Sequence, residues 1–140
     1  MEVDKLFKSL TYVPKIWTAL SYPLLVLVSL ILFFGRNVEP IRIGSFLEVM
    51  PDFYSHISNF SLSFILYISI GYVGIMFGLT VKNITIIGIG IVLLNLIIEF
   101  LLPFLNTPDT SDALFGTIGV ILGFAFLFLS KNYGLKKNEL

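Results

Sequence analysis

The sequence predicts an all-α fold, a polytopic membrane protein built as a four-transmembrane-helix bundle with both termini in the cytoplasm (N-in/C-in). Of its 140 residues, 56% are hydrophobic and 13% are charged, whereas a soluble domain usually carries about 25% charged residues. Four stretches are long and apolar enough to cross about 30 Å of hydrocarbon. The distribution of basic residues then orients these stretches. We expect residues 1–140 to form a single membrane domain.

The four predicted spans are residues 16–35, 55–79, 84–102 and 112–130. Residues 36–54 form the only sizeable predicted loop, and their apolar side chains indicate that the loop lies along the membrane surface. Lys82 and Asn83 predict a tight turn between the second and third spans. Because the connections after spans two and three are short, we expect consecutive helices to be antiparallel neighbours.

The basic residues predict the orientation of the bundle. With the N-terminus in the cytoplasm, the outer side carries only two basic residues, Arg36 and Arg42. The inner side then carries all of the lysines, which are Lys5, Lys8, Lys15, Lys82, Lys131, Lys136 and Lys137. An excess of basic residues marks the cytoplasmic side of a membrane protein. The outer ends of the helices therefore carry His56, Glu99 and Asp112.

Small and polar residues follow one face of each of the last three spans. Residues on one helical face recur three, four or seven positions apart, and inside a membrane such residues mark the face that contacts protein. The three faces consist of His56, Phe60, Ser63, Tyr67, Gly71, Gly74 and Gly78, then Gly88, Asn95 and Glu99, then Asp112, Gly116, Gly119, Gly123 and Ser130. The polar residues collect at the outer ends, so the pattern predicts a bundle that opens slightly outwards around a polar pocket.

Two glycine pairs have the spacing of helix-packing motifs. Gly74 and Gly78 are separated by three residues, and so are Gly119 and Gly123. Small residues at this spacing let two helix backbones approach each other closely in a membrane. We therefore predict a close contact between helices at both pairs.

Three titratable residues at the outer ends are candidate catalytic or otherwise functional residues. Glu99 lies in an otherwise uncharged apolar run, where an ionisable group is costly and favours a functional role. His56 could equally be an ordinary interfacial histidine, and Asp112 or Ser111 could serve only as a helix cap. An imidazole with two carboxyl groups is sufficient for proton transfer, and the same set suits a divalent metal.

Three further residues are candidate ligand-binding residues. Asp52 precedes His56 by four positions and would stack on it if the helix began before Asp52. Asn95 shares a helix face with Glu99, although an interhelical hydrogen bond would explain its presence as well. Tyr67 lies on the same predicted face of span two as His56.

Several of these residues occur in an order that is known from one protein family. They are Asp52, His56 and Phe60 in one helix, Glu99 at the end of the next, and Asp112, Gly116, Gly119 and Gly123 in the last. This order resembles the VanZ-like family of small bacterial membrane proteins, over about residues 16–130. The chain departs from the family pattern at Phe53, Leu102 and Gly116, and its segment 106–111 contains no arginine. The resemblance implies a multi-pass protein of the bacterial cytoplasmic (plasma) membrane, with a role in the cell envelope and in susceptibility to teicoplanin-type glycopeptides.

Two functional hypotheses remain open. In the first, the outer-leaflet pocket binds an envelope lipid or another amphiphile without catalysis and so changes antibiotic access. In the second, the chain is an intramembrane acid–base or metal-assisted enzyme that acts on a lipid-linked envelope substrate. A transporter or channel is disfavoured because the four spans show no inverted repeat.

The sequence also limits the chemistry and the partners. It contains neither an H-E-x-x-H nor a G-x-S-x-G motif, so metal binding is undecided and we predict no cofactor. The absence of cysteine excludes thiol chemistry, and zero net charge leaves no basic footprint for nucleic acid. The expected partners are the lipid bilayer and an amphiphilic ligand.

Overall fold

The computed structural model describes residues 8–101 and 109–139. The helices of these residues are α1 (Ile16–Gly35), α2 (Gly44–Val49), α3 (Phe53–Met76), α4 (Val81–Leu101) and α5 (Thr110–Leu129). A π-helical turn over Ser130–Gly134 extends α5. All of the helices except α2 are long and apolar enough to span a membrane. The prediction of a helical, multi-pass membrane protein is therefore confirmed, while the single domain over residues 1–140 stays a prediction.

The observed spans begin and end within three residues of the predicted bounds, and α1 matches its predicted range of 16–35. The predicted end of span three at Leu102 and the inner-side residue Lys5 lie outside the described residues. The two largest shifts, at the end of α3 and the start of α4, have local causes at the turn between these helices.

Gly78 ends α3 earlier than predicted. Its φ of +101° lies in a region that glycine adopts without steric penalty. The Gly78 N–H donates to the Ile75 carbonyl (3.1 Å), and the Leu79 N–H donates to the Gly74 carbonyl (2.9 Å), which is the pattern of a Schellman cap. A Cβ added to Gly74 would collide with the Leu79 side chain. The prediction of interhelical packing at Gly74 and Gly78 is therefore wrong, because this pair closes the end of its own helix.

Lys82 and Asn83 lie in the first turn of α4, so the predicted tight turn at these two residues is also wrong. The Asn83 side-chain oxygen accepts a hydrogen bond from the Thr80 N–H (3.1 Å), and the Asn83 N–H donates to Thr80 Oγ1 (3.3 Å). This reciprocal arrangement is that of a capping box, which satisfies N–H groups that the first helical turn leaves free. The helix can therefore start three residues earlier than its apolar pattern does.

Helix α5 packs against both α3 and α4. Its contact with α3 is the most extensive, whereas α3 and α4 share only a small contact. The consecutive helices α3 and α4 are thus neighbours, as expected, but their contact is smaller than the contact of either with α5. The glycine face of α5 explains the difference, because a Cβ on Gly119 would lie 2.5 Å from the Phe60 carbonyl oxygen of α3. A Cβ on Gly123 would lie 2.9 Å from the Tyr67 ring, so close packing at this glycine pair is confirmed.

The core of the bundle lies below the polar ends of the helices. Its fully buried large side chains include Tyr67, Ile68, Ile75, Ile84 and Leu127. They come from α3, α4 and α5, and so they fix these three helices relative to one another.

Residues 36–54 are more regular than the predicted loop. They contain a 3₁₀ turn over Glu39–Ile41, the short helix α2 and the start of α3. Arg42 fastens this segment to the end of α1, since its Nε donates to the Gly35 carbonyl (2.7 Å) and its Nη2 to the Arg36 carbonyl (2.8 Å). The segment is thus held against the end of the bundle at which α3 and α5 begin, which we call the acidic end.

A two-stranded antiparallel sheet joins the two ends of the described chain. Strand β1 (Tyr12–Pro14) pairs with β2 (Leu135–Lys137), with Tyr12 opposite Lys137. Nearby, Thr18 Oγ1 donates a hydrogen bond to the Gly134 carbonyl at 2.7 Å. The two ends of the described chain therefore lie together at the end of the bundle opposite the acidic end.

Candidate functional site

His56 and Asp112 meet at the acidic end. His56 lies in the first turn of α3 and Asp112 in the first turn of α5. The His56 Nδ1 and Asp112 Oδ1 atoms are 2.7 Å apart, a distance typical of a charge-assisted hydrogen bond. The two side chains are 13% and 15% exposed, so little solvent competes for the contact. The structure thus brings together two of the three predicted catalytic candidates.

Asp109 adds a second carboxylate to this pair. Its Oδ2 lies 3.6 Å from His56 Nδ1. Its Oδ1 accepts a hydrogen bond from the Ser111 N–H (2.8 Å), so Asp109 is the N-cap of α5. Asp109 was not among the predicted site residues. The sequence feature that could have identified it is its position three residues before Asp112, because an N-cap side chain and the third helical residue lie close together.

Glu99 joins the same group from the end of α4. Its side chain is 4% exposed, and its Oε1 accepts a hydrogen bond from the Asp109 N–H. This contact ties the end of α4 to the start of α5. We call His56, Glu99, Asp109 and Asp112 the acid cluster.

The acid cluster combines three carboxyl groups with one imidazole. Neighbouring carboxylates repel one another, and an opposite charge within about 4–6 Å stabilises the ionised form. The imidazole of His56 lies against the carboxyl groups of Asp109 and Asp112. The cluster therefore suits a metal cation or a cationic group of a ligand.

A cavity of about 300 Å³ adjoins the cluster between α3, α4 and α5, and we call it the groove. Its polar lining comes from Glu99, Asp112, Asn59, Asn95 and Ser63. Its apolar lining includes Leu62, Leu66, Ile91, Leu94 and Ile98. The carboxyl groups lie at the acidic end, whereas residues such as Leu66 and Ile91 lie about two helical turns deeper. The groove therefore presents a polar head region and an apolar wall to the same ligand.

Asn95 closes the polar part of the groove. Its Nδ2 donates a hydrogen bond to Ser63 Oγ at 2.8 Å, which links α4 to α3. A Cβ on Gly116 would lie 2.6 Å from this nitrogen, so α5 admits the amide only because Gly116 has no side chain. Asn95 thus makes an interhelical hydrogen bond and also lines the groove.

The types of side chain in the cluster are suitable ligands for a metal ion. One ligand atom each from His56, Asp109 and Asp112 lies within 4.8 Å of the other two, and an imidazole nitrogen with two carboxylate oxygens is a known set for zinc and iron. Two ligands of tetrahedral zinc are about 3.3 Å apart when each bond is about 2.0 Å. The 2.7 Å His56–Asp112 contact is shorter and is that of a direct hydrogen bond, which a bound metal would have to replace.

Two predicted ligand-binding residues lie apart from the cluster. Asp52 is exposed at the N-cap position of α3 and makes no side-chain capping bond; among the described residues it forms no ion pair with His56. Tyr67 is fully buried, and its hydroxyl donates to the Ile84 carbonyl at 2.7 Å. Tyr67 follows His56 by three helical turns, about 16 Å along α3, so it belongs to the helix packing of the core and not to the groove.

Comparisons of the chain with protein-family models, with curated proteins and with solved structures find no match. The assignment of a function therefore depends on the groove, the acid cluster and the charges around them.

Proposed function

We propose that this chain is a VanZ-like protein of the bacterial cell envelope whose groove binds an amphiphile from the outer leaflet of the plasma membrane. The observation that carries the proposal is the groove itself. It joins Glu99 and Asp112 to an aliphatic wall within one cavity of about 300 Å³. Ligand sites are usually largely apolar clefts with a few placed polar groups, and this combination fits a molecule with a polar head and an aliphatic chain.

The distribution of basic residues supports an outward-facing groove. The described lysines near the paired strands are Lys8, Lys15, Lys82, Lys131, Lys136 and Lys137. At the acidic end the only basic residues of the described chain are Arg36 and Arg42. Because cytoplasmic segments of membrane proteins are enriched in basic residues, this asymmetry favours a cytoplasmic location for the termini and an external one for the acid cluster.

The cluster favours one kind of head group. The carboxyl groups of the acid cluster attract a cationic or donor-rich head, such as an amine, and repel a phosphate. An amphiphile of this class would place its amine near Asp112 and Glu99 and its chain against Leu62 and Leu94. Occupation of the outer leaflet by such a complex would alter the access of a glycopeptide antibiotic to the cell surface.

Variants without the charges of the cluster test this function in cells. We expect expression of the protein in a glycopeptide-sensitive bacterium to change teicoplanin susceptibility, and His56→Gln and Glu99→Gln to abolish the change at equal membrane abundance. Glu48→Gln is the matched control, since Glu48 is an exposed residue of α2. Full activity of both cluster variants would show that the groove is only a scaffold.

A second candidate function is acid–base catalysis on a lipid-linked substrate, and the His56–Asp112 contact favours it. A carboxylate bound to one ring nitrogen orients an imidazole and leaves the other nitrogen for proton transfer, as in known catalytic dyads and triads. The imidazole would take a proton from the substrate at Nε2 while Asp112 stabilises the imidazolium.

Incubation of the purified protein with labelled envelope lipids separates the two functions. Turnover of a lipid that disappears in His56→Gln would establish the enzyme, and its loss with a chelator would add a metal. Saturable binding of unchanged lipid, with or without the chelator, would support the binding protein and count against catalysis.

A further inference from the structure

A second polar pocket lies at the acidic end, between the end of α1 and the start of α3. It has a volume of about 260 Å³ and is lined by Arg36, Asn37, Arg42, Tyr54 and Ser55, among others. We call it the arginine pocket. Ser58, which holds Arg36, is about 200° around the axis of α3 from His56, so Arg36 and His56 contact different sides of this helix.

Arg36 is held in a fixed position without a carboxylate partner. Its Nη1 donates to Ser58 Oγ at 2.6 Å, and Ser58 is 4% exposed. Among the described residues Arg36 forms no ion pair, whereas Arg42 lies 3.8 Å from Glu39. A guanidinium carries five N–H donors, so most of the donors of Arg36 remain available to a ligand. The serine restrains the side chain, which lowers the entropy that a ligand would lose in ordering it.

Arg42 makes the site compatible with an anion. The carbonyl end of a helix is negative and repels anions, and the arginine pocket lies at that end of α1. Arg42 donates to the carbonyls of Gly35 and Arg36 and so neutralises the exposed end of the helix. Its guanidinium also lies 5.5 Å from the centre of the Tyr54 ring, a distance typical of a cation–π contact that keeps it in place.

We propose that the arginine pocket binds a phosphate group, supplied either by a phospholipid head group or by free phosphate. Arg36 would hold two phosphate oxygens with parallel N–H groups, as guanidinium groups commonly do, while Asn37 and Ser55 offer an amide and a hydroxyl. No acidic residue of the described chain lines the pocket. Glu39 is 83% exposed and paired with Arg42, and Asp52, next to the lining residue Pro51, is exposed. The pocket lies at the end of apolar helices, the depth at which phospholipid phosphates are found.

This pocket and the groove have opposite charge preferences. The groove carries carboxyl groups and suits a cationic head, whereas the arginine pocket suits an anion. A phosphate in the arginine pocket is therefore independent of the amphiphile in the groove, and each proposal can fail without the other.

Binding is tested on the full-length protein in micelles of a neutral maltoside detergent. The probes are inorganic phosphate, dihexanoyl-phosphatidylglycerol and, as a zwitterionic comparison, dihexanoyl-phosphatidylcholine. The binding of each probe is measured by titration calorimetry. We expect Arg36→Gln to weaken binding by at least about tenfold, because the loss of either of its two charge-assisted hydrogen bonds costs about that factor. Lys82→Gln is the matched control, because it removes the same charge from an exposed position at the other end of the bundle; it should bind like the wild type.

Two milder variants keep the test valid if Arg36→Gln fails to fold. Arg36→Lys keeps the charge without the planar fork, and Ser58→Ala frees the guanidinium; both should weaken binding several-fold. Binding of the phospholipids but not of inorganic phosphate would identify a lipid head group, and the reverse would identify free phosphate. Absence of binding by every probe, or equal losses in Arg36→Gln and Lys82→Gln, would overturn the proposal.

Discussion

Replacement of Gly119 by alanine should destabilise the bundle, because this glycine is where α5 touches the backbone of α3. A Cβ at this position would lie 2.5 Å from the Phe60 carbonyl oxygen and 3.2 Å from the Phe64 nitrogen. Both atoms belong to the backbone of a helix and cannot rotate out of the way as a side chain could. The two helices would therefore have to move apart.

The size of this movement sets the expected loss of stability. Ordinary van der Waals contacts of a Cβ begin at 3.4 Å, so the helices must separate by roughly 0.9 Å at Gly119 if the carbonyl does not tilt. Overpacking of a close-packed interface costs about 1–3 kcal/mol. We expect the free energy of unfolding of Gly119→Ala to fall by this amount.

The assay is reversible unfolding in mixed maltoside and dodecyl sulfate micelles, followed by circular dichroism. Gly90→Ala is the matched control, because no atom of the described chain lies within 4 Å of a Cβ added there. An alanine in an open helical position should leave the stability equal or raise it by up to about 1 kcal/mol. Equal stabilities of Gly119→Ala and Gly90→Ala would refute the close approach of α3 and α5.

Three further predictions concern single contacts. Asn95→Ala should lower the free energy of unfolding by about 0.6 kcal/mol, the average for an interhelical hydrogen bond in a membrane protein. An unchanged free energy of unfolding would argue against the hydrogen bond to Ser63. Gly78→Ala should cost about 1–2 kcal/mol in the same assay because alanine tolerates a positive φ poorly; an unchanged stability would contradict the glycine cap. In the cysteine-free chain, the double variant Tyr12→Cys/Lys137→Cys should form an intramolecular disulfide on mild oxidation, since residues opposite each other in antiparallel strands have Cβ atoms about 4.5–5.5 Å apart. Failure to cross-link, seen as an unchanged mobility on non-reducing gels, would argue against the strand pair.

The spans could be predicted because their apolar length is a strong signal. The polar faces predicted a polar pocket at the ends of the helices, because steps of three and four residues locate such side chains on the inner faces. At these ends the structure brings His56 and Asp112 into contact. Glu99 was predicted as a site residue for a different reason, because it is the only acid in an apolar helix.

The remaining errors arise where one pattern has two structural meanings. The spacing of Gly74 and Gly78 matches that of Gly119 and Gly123, but only the structure shows that Gly78 has a positive φ and ends its own helix. Tyr67 shares the face of His56 along α3, yet the length of the helix separates the two residues. Periodicity predicts the direction in which a side chain points around the helix axis. It does not predict which side chains of two helices lie at the same level along the bundle.

Contacts formed by short or irregular segments were not predictable. Asp109 reaches His56 through its position as a helix cap, which involves a single residue. The strands β1 and β2 have three residues each, too few for an alternating pattern to be recognised. Arg36 and Ser58 are far apart in sequence and lie on elements whose relative rotation only the folded bundle fixes.

The most direct test of the central claim is whether the groove prefers a cationic amphiphile through its acid cluster. Dodecylammonium and the matched neutral dodecanol are added to the protein in maltoside micelles, and the free energy of unfolding is measured. At a free concentration of about ten times Kd, a ligand of the folded state stabilises by about 1.4 kcal/mol. We predict that dodecylammonium stabilises the wild type and Glu48→Gln in this way, that dodecanol does so less, and that Glu99→Gln and His56→Gln lose the difference. Equal effects of the amine and the alcohol, or an undiminished amine effect in both cluster variants, would contradict the account.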